Sequence, residues 1–428
     1  MSDQQSERRI PRRDFLRKSA GITTAALAAG VFGGNAAHSQ AVPTLRAGLI
    51  GCGGRGTGAA RDCVKAAPGV EIHALGDLFP ERVGSCRTNL QQALGDALKV
   101  TDDRCFTGFD AYLGVINSGV DLVLLAEPPA FRPKHFKAAI EAGKHVFFEK
   151  PVAVCPAGVR SIIESGEVAK QKNLAVVAGT LYRHHRGYQE TIQRIHDGAI
   201  GTILAAQAYY ITGELWMHPR QPDWTDLEWQ LRNWLYFTWL SGDHIAEQHI
   251  HNLDVMNWVM QGHPVRALSL GGRQKRTDPA FGNVYDHFVT EFEYPGGILM
   301  MSMCRQMDNC YNKNTNNVIG TEGFSDPSRS IAGKVTYVAP ATTLADAYVQ
   351  EHTDLIASIR KGEPLNEARQ VAESTLTAII GRMSAYTGKE VTWDFAINES
   401  KLDLMRDITA FGPMPVDEIA IPGKTPLI

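Results

Sequence analysis

Residues 45–56 read LRAGLIGCGGRG, and this stretch decides the fold of the first half of the chain. The apolar run of residues 45–50 has the length of a buried strand. The glycine pattern G-x-G-x-x-G follows directly, and a helix is predicted from about residue 57 to 67. A strand, a glycine-rich turn and a helix in this order favour binding of a dinucleotide's pyrophosphate at the helix N-terminus. We assign this contact to Gly51, Gly53, Gly54, Arg55 and Gly56.

A second predicted strand, residues 70–76, ends at Asp77. A carboxylate at this position accepts hydrogen bonds from the adenine ribose hydroxyls and repels the additional phosphate of NADP. Asp77 therefore favours NAD, whereas Arg82 nearby keeps NADP open as the alternative cofactor. Capping of the next helix is the other role predicted for Asp77, and the two roles are compatible.

Three more apolar runs continue the alternation of strands and helices, at residues 121–126, 145–148 and 174–178. A helix over residues 133–142, closed by Gly143, separates the first two runs. This alternation predicts an α/β fold with a doubly wound parallel sheet. Ligands bind at the carboxyl ends of such strands, and Glu149 and Lys150 follow the second run there. The alternative for these two residues is a surface ion pair before a loop.

The chain resembles the glucose-fructose oxidoreductase, inositol dehydrogenase and rhizopine catabolism (Gfo/Idh/MocA) family in its glycine pattern, Asp77, Ala126-Glu127-Pro128 and the block AGKHVFFEKP at residues 142–151. The resemblance implies a Rossmann NAD(P)-binding domain over residues 44–180 and a substrate-binding and oligomerisation domain of α+β type over residues 181–428. It also implies cofactor contacts by Glu127, Glu149 and Lys150, although the family more often has Thr in place of Glu127. The expected assembly is a homo-oligomer, either a dimer or a tetramer.

The second half contains strand-like segments at residues 204–211, 265–271, 284–294 and 297–303. They predict a mostly antiparallel sheet that is open on one face, and the resemblance implies that this face mediates substrate closure or oligomer contact. An insertion between the first two segments holds five tryptophans, which either pack in the core or stack on sugars. Helices at residues 348–360 and 367–387 are predicted as scaffold. The tail after Asp407 is expected to wrap a neighbouring subunit.

Residues 242–258, GDHIAEQHIHNLDVMNW, predict one helix with Glu247, His251 and Asp254 on the same face. A carboxylate one turn from a histidine orients the imidazole and raises its basicity. The segment is similar to the family motif D-x-G-x-H-x-x-D, and this similarity implies that His251 is the catalytic histidine and that Glu247 replaces the first Asp. A metal site and a satisfied core histidine are the alternatives. The spacing matches no zinc motif, so no metal is predicted.

The polar segment after residue 178 contains Arg183 and His184. The resemblance places such a segment at the mouth of the active site, which makes both residues candidate substrate contacts together with Asp254. The alternative for Arg183 and His184 is a solvated loop.

Residues 1–40 are predicted to be a twin-arginine signal peptide. The sequence RRDFLRK at residues 12–18 resembles the export motif, and a weakly apolar stretch follows over residues 20–34. That stretch is too short and too rich in glycine and alanine to span a membrane. The predicted location is therefore the periplasm or another extracytoplasmic space.

The composition is that of an ordinary globular protein, with 44% hydrophobic and 21% charged residues and a net charge of −3. This balance argues against a nucleic-acid partner. Seven cysteines without CxxC spacing argue against a disulfide framework or a structural metal.

The residues and the resemblance together predict an exported NAD(P)-dependent oxidoreductase that acts on a secondary alcohol of a sugar or polyol and holds its cofactor tightly. Lys150 would hydrogen-bond the reacting hydroxyl, and His251, oriented by Glu247, would accept its proton. Two alternatives stay open. One is a glycoside hydrolase that oxidises its substrate transiently through NAD, and the other is a non-catalytic sugar-binding protein on the same fold.

Overall fold

The structure, a computed structural model, describes residues 43–428. The predicted signal peptide at residues 1–40 lies outside the described residues. None of the helices within residues 43–428 combines the length and hydrophobicity that a membrane span requires.

The first half forms a parallel sheet of six strands: β1 Leu45–Ile50, β2 Val70–Asp77, β3 Cys105–Thr107, β4 Leu122–Leu125, β5 His145–Phe148 and β6 Val176–Ala178. Their order in the sheet is β3-β2-β1-β4-β5-β6. The predicted doubly wound sheet is thereby confirmed. Because the strand order reverses between β1 and β4, a crevice for ligands opens at the carboxyl ends of these two strands.

Six helices follow or connect these strands: α1 Gly54–Ala66, α2 Pro80–Leu94, α3 Ala111–Asn117, α4 Arg132–Glu141, α5 Pro156–Gln171 and α6 Arg186–His196. The first helix begins three residues earlier than predicted. Gly53 is its extended N-cap residue, so the helix includes the second half of the glycine pattern. The N-terminal N–H groups of α1 therefore lie directly at the crevice.

The second half forms a sheet of nine strands: β7 Ile203–Thr212, β8 Arg266–Gly272, β9 His287–Tyr294, β10 Ile298–Gln306, β11 Lys313–Gly320, β12 Gly323–Asp326, β13 Ser330–Gly333, β14 Tyr337–Val338 and β15 Val391–Thr392. Its order is β14-β13-β12-β11-β7-β10-β9-β8-β15, and every pair is antiparallel except β7 with β10. The predicted, mostly antiparallel sheet is confirmed. The last five strands were not predicted.

One face of this sheet carries helices, and the other face is open. Along β10, Met300, Ser302 and Cys304 are buried, whereas Leu299 is 42% exposed. Other strands also alternate buried and exposed side chains, and Leu270 on β8 is 76% exposed. The open face predicted from the alternating strands is therefore present in the fold.

The helices of the second half are α7 Asp226–Arg232, α8 Thr238–Ser241, α9 His244–Glu247, α10 Ile250–Met260, α11 Leu344–Lys361 and α12 Ala368–Thr387. The prediction of one continuous helix over residues 242–258 is wrong. The chain breaks at Gln248 and His249, whose N–H groups both bond to the carbonyl of His244. The buried ring of His249 lies 2.6 Å from Ser302 Oγ on β10. This contact was not predicted.

We predict that Gly56→Ala destabilises the protein, whereas Gly54→Ala does not. A Cβ on Gly56 would lie 1.9 Å from the carbonyl oxygen of Gly51, while a Cβ on Gly54 meets no atom within 4 Å. Overpacking should lower the free energy of unfolding of the Gly56 variant by about 1–3 kcal/mol. Chemical denaturation of both variants measures this difference. Equal stability of the two variants would contradict the close contact between α1 and β1.

Candidate active site

The glycine loop is shaped to accept a phosphate group. Gly51 has a φ of 94°, and a Cβ there would lie 2.5 Å from the backbone carbon of Ala126. A Cβ on Gly53 meets no atom within 4 Å, so this residue borders the open crevice. The first turn of α1 has no acidic residue, which leaves the positive end of the helix dipole uncompensated. The loop therefore fits the pyrophosphate of a dinucleotide.

Asp77 occupies the end of β2, as predicted, and its carboxylate is held by the backbone. Its two oxygens accept hydrogen bonds from Cys52 N at 2.7 Å and from Phe79 N at 2.9 Å. Burial raises the pKa of Asp77, although these N–H groups and the charge of Arg82 oppose that effect. The carboxylate thus has a fixed orientation beside the glycine loop. Its contact with an adenine ribose stays a prediction.

A cavity of about 510 Å³ extends from the glycine loop past Asp77, a volume typical of ligand sites. The loops after β2, β3 and β4 line one side of the cavity. Trp216 and Trp234 of the insertion and Ile408 of the tail line the other side. These two tryptophans therefore lie at the cofactor groove, whereas Trp239 is buried in the core.

The C-terminal tail packs against its own chain. Phe411 stacks on Phe79 with ring centroids 5.9 Å apart, and Leu227 N donates to the carbonyl of Gly412 at 3.2 Å. The expectation that the tail wraps a neighbouring subunit stays a prediction. Phe411 is still 41% exposed, so part of its ring remains accessible.

Glu127 follows β4 and is buried at the wall of the same cavity. Its Oε1 lies 3.2 Å from His135 Nδ1 of α4. The guanidinium of Arg132 donates to the carbonyls of Glu127 and Pro151. The sequence did not single out His135 or Arg132, because their spacing from Glu127 matches no known pattern.

Glu149 forms an ion pair that reaches back to the glycine loop. Its Oε1 lies 2.8 Å from Nε of Arg55, whose guanidinium also lies 4.4 Å from the ring centroid of Tyr348. Tyr348 belongs to α11, a helix that was predicted as scaffold only. The two predicted cofactor residues Arg55 and Glu149 therefore contact each other, and α11 contributes a side chain to this region.

Lys150 connects the two halves of the chain. Its Nζ donates to the carbonyl of Glu247 at 2.5 Å and to Glu247 Oε1 at 3.1 Å. Both side chains are nearly buried, with 13% and 12% exposure. The prediction that Glu247 orients His251 is replaced by this contact, because the carboxylate of Glu247 faces Lys150. The break between α9 and α10 separates Glu247 from the helix that carries His251.

His251 lies in the first turn of α10, next to Lys150. Burial and the positive charge of Lys150 hold the pKa of His251 well below its usual range. The imidazole is therefore neutral near pH 7 and has a free site for a proton, but the lowered pKa makes it a weaker base than an exposed histidine. The ring of Tyr182 lies 5.4 Å from it, centroid to centroid. Lys150 of the first half is therefore close enough to His251 of the second half for its charge to act on the imidazole.

The three predicted substrate contacts have partners within the protein. Arg183 Nε lies 2.8 Å from Asp254 Oδ2, and Asp254 also accepts a hydrogen bond from Ser374. His184 Nδ1 lies 2.6 Å from Asp354 Oδ2. Burial alone would lower the pKa of His184, but the neighbouring carboxylates raise it to about 10. The roles of Arg183, His184 and Asp254 in substrate binding stay predictions.

Three tyrosine side chains lie near these groups: Tyr182 beside His251, Tyr348 beside Arg55, and Tyr210 near Glu247. Burial and the neighbouring Tyr182, Glu247 and Tyr348 raise the pKa of Tyr210 to about 12. These rings come from β7, α11 and the segment before α6, so no local pattern links them. Within residues 43–428, no group of three or more His, Cys, Asp or Glu is arranged to hold a metal ion.

Residues 45–180 match the sequence family described as "Oxidoreductase family, NAD-binding Rossmann fold". Residues 188–325 match the "GFO/IDH/MocA C-terminal domain". The chain belongs to the Gfo/Idh/MocA family. This membership agrees with the two sheets and with the crevice between β1 and β4.

Inositol 2-dehydrogenase 3 of Saccharopolyspora erythraea is 28% identical over 254 residues, which are 59% of this chain and 64% of that protein. The 2,7-anhydro-N-acetylneuraminate hydratase of Escherichia coli is 27% identical over 180 residues, 42% of this chain and 44% of the relative. The chain thus spans less than two thirds of these relatives. A levoglucosan dehydrogenase in complex with NADH and levoglucosan has a similar fold, with a TM-score of 0.65 and 18% identity over 82% of this chain and 99% of that one.

We predict that Gly53→Ala weakens nucleotide binding and leaves the fold intact. The added methyl group would project into the crevice and would obstruct the approach of a pyrophosphate. Titration with NADH, followed by nicotinamide fluorescence, should show at least a roughly tenfold higher Kd, equal to about 1.4 kcal/mol. Gly84→Ala on α2 is the matched control, because its Cβ also meets no atom within 4 Å. Unchanged NADH affinity in the Gly53 variant would show that the pyrophosphate does not use this loop.

Proposed function

We propose that this chain is an NAD(P)-dependent oxidoreductase that acts on a secondary alcohol of a sugar or polyol. The observation that carries this proposal is the position of Lys150 at the carboxyl end of β5, where it contacts Glu247 and its charge acts on His251, in the same sheet whose strand ends form a groove that fits a dinucleotide. Membership of an oxidoreductase family supports the reaction class. The names of an inositol dehydrogenase and a levoglucosan dehydrogenase among its relatives support the substrate class.

Lys150 and His251 divide the work on the reacting hydroxyl. The ammonium group of Lys150 donates a hydrogen bond to the hydroxyl oxygen and stabilises negative charge as it develops there. The neutral imidazole of His251 accepts the hydroxyl proton. The nicotinamide ring, when bound, supplies the acceptor for the hydride. Glu247 holds Lys150 in position through its carboxylate and its carbonyl.

The charge balance of the site favours an uncharged substrate. Lys150 faces Glu247, Arg55 faces Glu149 and Arg183 faces Asp254. A phosphate or carboxylate on the substrate would have to displace a carboxylate from one of these partly or fully buried pairs, which is costly. Tyrosine rings around the site offer flat apolar surfaces of the kind that carbohydrates contact. We therefore propose a neutral sugar or polyol in preference to a sugar acid.

The cofactor is proposed to be NAD, held tightly. Asp77 at the end of β2 would repel the additional phosphate of NADP. The insertion and the tail cover the adenosine end of the groove: Arg232 of the insertion pairs with Glu81 at 2.7 Å, and Asp407 of the tail pairs with Lys134 at 2.8 Å. A covered groove slows the escape of its ligand. Tight retention suits an enzyme in the periplasm, where we propose that the twin-arginine signal delivers this chain.

The open face of the second sheet is proposed to form the contact between subunits of a homo-oligomer. Its exposed apolar side chains include Leu204, Leu268, Leu270 and Phe324, at 56%, 48%, 76% and 60%. Contiguous exposed apolar surface of this kind is typical of association sites.

We predict that Lys150→Ala and His251→Ala each lower kcat by roughly 10²–10⁴-fold. The first step is a screen of neutral polyols, anhydrosugars and sugar acids with the purified protein. Nicotinamide fluorescence reports turnover in this screen. The kcat of each variant is then measured with the best substrate. Lys137→Ala, which replaces an exposed lysine on α4, is the control. NADH affinity should be unchanged in both variants. Full turnover in both variants would refute the proposed roles.

The same screen separates the alternatives. Release of a leaving group without net formation of NADH would indicate a transient oxidation followed by elimination, a reaction class to which the similarity to a hydratase lends support. Preferred turnover of sugar acids would contradict the argument from charge balance. Binding without any turnover would indicate a sugar-binding protein.

We predict that the purified protein carries nearly stoichiometric nucleotide, and that Phe411→Ala releases it faster. The ring of Phe411 stacks on Phe79 and contacts Phe109 at 5.2 Å, centroid to centroid. Loss of aromatic contacts worth about 0.5–1.5 kcal/mol should speed release by roughly 2–10-fold. Chromatography of nucleotide released by denaturation gives the content, and dilution of the protein gives the rate. Tyr311→Ala, which replaces a 79% exposed aromatic residue between β10 and β11, is the control. A protein free of nucleotide would refute tight retention.

A further inference from the structure

We propose that Glu127 and His135 form a recognition pair for the exocyclic amine of adenine, so that this groove selects the base of its cofactor. The inference rests on the proposed use of a nicotinamide dinucleotide. It adds a second contact to the one expected at Asp77. Glycine loops and ribose-binding carboxylates accept any purine dinucleotide, whereas this pair would distinguish adenine from hypoxanthine.

The carboxylate of Glu127 has no hydrogen-bond partner within residues 43–428. Glu127 is 7% exposed and His135 is 9% exposed, and both line the cavity of about 510 Å³. Among the described residues, neither oxygen of Glu127 meets hydrogen-bond geometry, and the nearest polar contact is His135 Nδ1 at 3.2 Å. An unsatisfied buried carboxylate is costly, so its persistence points to a donor supplied by a ligand.

The pair is held rigidly in place. The ring of His135 stacks on Tyr112, with centroids 4.1 Å apart and an interplanar angle of 16°. Arg132, itself buried, donates to the carbonyl of Glu127 and fixes the backbone after β4. The stacking restrains the ring of His135, and the bond from Arg132 restrains the backbone of Glu127. A preorganised acceptor of this kind discriminates between ligands through hydrogen bonds that only the correct ligand satisfies.

The position of the pair favours the adenosine half of the dinucleotide. The cavity that holds Glu127 also contains the glycine loop, Asp77 and the loop after β3, but its lining does not include Lys150 or His251. The glycine loop accounts for the pyrophosphate, and Asp77 accounts for the adenine ribose. The remaining strong donor in that half is the adenine amine, since the ring nitrogens of the base are acceptors. Tyr112, Phe109 and Phe131 supply apolar walls for a planar ring.

An ionised carboxylate only accepts hydrogen bonds. Hypoxanthine has a carbonyl oxygen where adenine has its amine. This oxygen would face the carboxylate of Glu127, and two acceptors cannot hydrogen-bond to each other. Hydrogen bonds to charged groups contribute about 1.5–3 kcal/mol, which corresponds to a preference of roughly 10–150-fold for the adenine cofactor. Glu127→Gln replaces one acceptor oxygen by a donor amide, which can pair with the hypoxanthine carbonyl.

The test is a competition between NADH and reduced nicotinamide hypoxanthine dinucleotide. The purified protein is first freed of bound nucleotide with charcoal and is then equilibrated with an equimolar excess of both nucleotides. The free nucleotides are removed, and the bound ones are quantified after denaturation. The wild type should retain the adenine form at least roughly tenfold in excess. Glu127→Gln should retain the two forms in nearly equal amounts. Glu141→Gln, an exposed glutamate at the end of α4, is the matched control and should behave as the wild type.

Equal retention of the two nucleotides by the wild type would overturn the inference without the need for any variant. A second measurement compares ADP with ADP-ribose in the Glu127 variant. Weakened binding of ADP-ribose alone would assign Glu127 to the second ribose and would also overturn the inference. Absence of any nucleotide binding by the wild type is a different result, which would refute the proposed function itself.

Discussion

The contact between Lys150 and Glu247 is the interaction on which the candidate site depends. Lys150 follows the strand β5 of the parallel sheet, and Glu247 ends α9 in the second half of the chain. Two acceptors on one residue, a carbonyl and a carboxylate, hold the ammonium group. A charge removed from water needs such partners. The pair therefore fixes the distance between the cofactor groove and the helix that carries His251.

The neighbouring ion pairs extend the same principle. Arg55 and Glu149 tie the glycine loop to the end of β5, and Arg183 and Asp254 tie the segment before α6 to α10. Each pair joins residues that are far apart in sequence, and in each pair at least one partner is almost fully buried. The result is a site with oriented charges and little free net charge. Such preorganised dipoles act strongly on charge that develops on a substrate, because little water is present to screen them.

The sequence predicts the first half of the fold well because its signals are local. The strands before Gly51, Asp77 and Lys150 are predominantly apolar segments, and the structure confirms each of them. The break between α9 and α10 could not be predicted in the same way. It accompanies the buried contact of His249 with Ser302, and 53 residues separate these two side chains. The period of the hydrophobic residues in this segment favours a single helix, and tertiary packing overrides it.

Partners of charged residues were predicted least well, since a charge has no preferred distance along the chain. Glu247 faces Lys150, 97 residues away, rather than His251, four residues away. Glu127 is the more informative case, because it stands where the family more often has Thr and is buried without a satisfied hydrogen bond. A residue that breaks a local rule and persists is expected at a functional position. Recognition of a ligand's hydrogen-bond donor by this carboxylate would explain both features, namely the departure from the family pattern and the unsatisfied carboxylate.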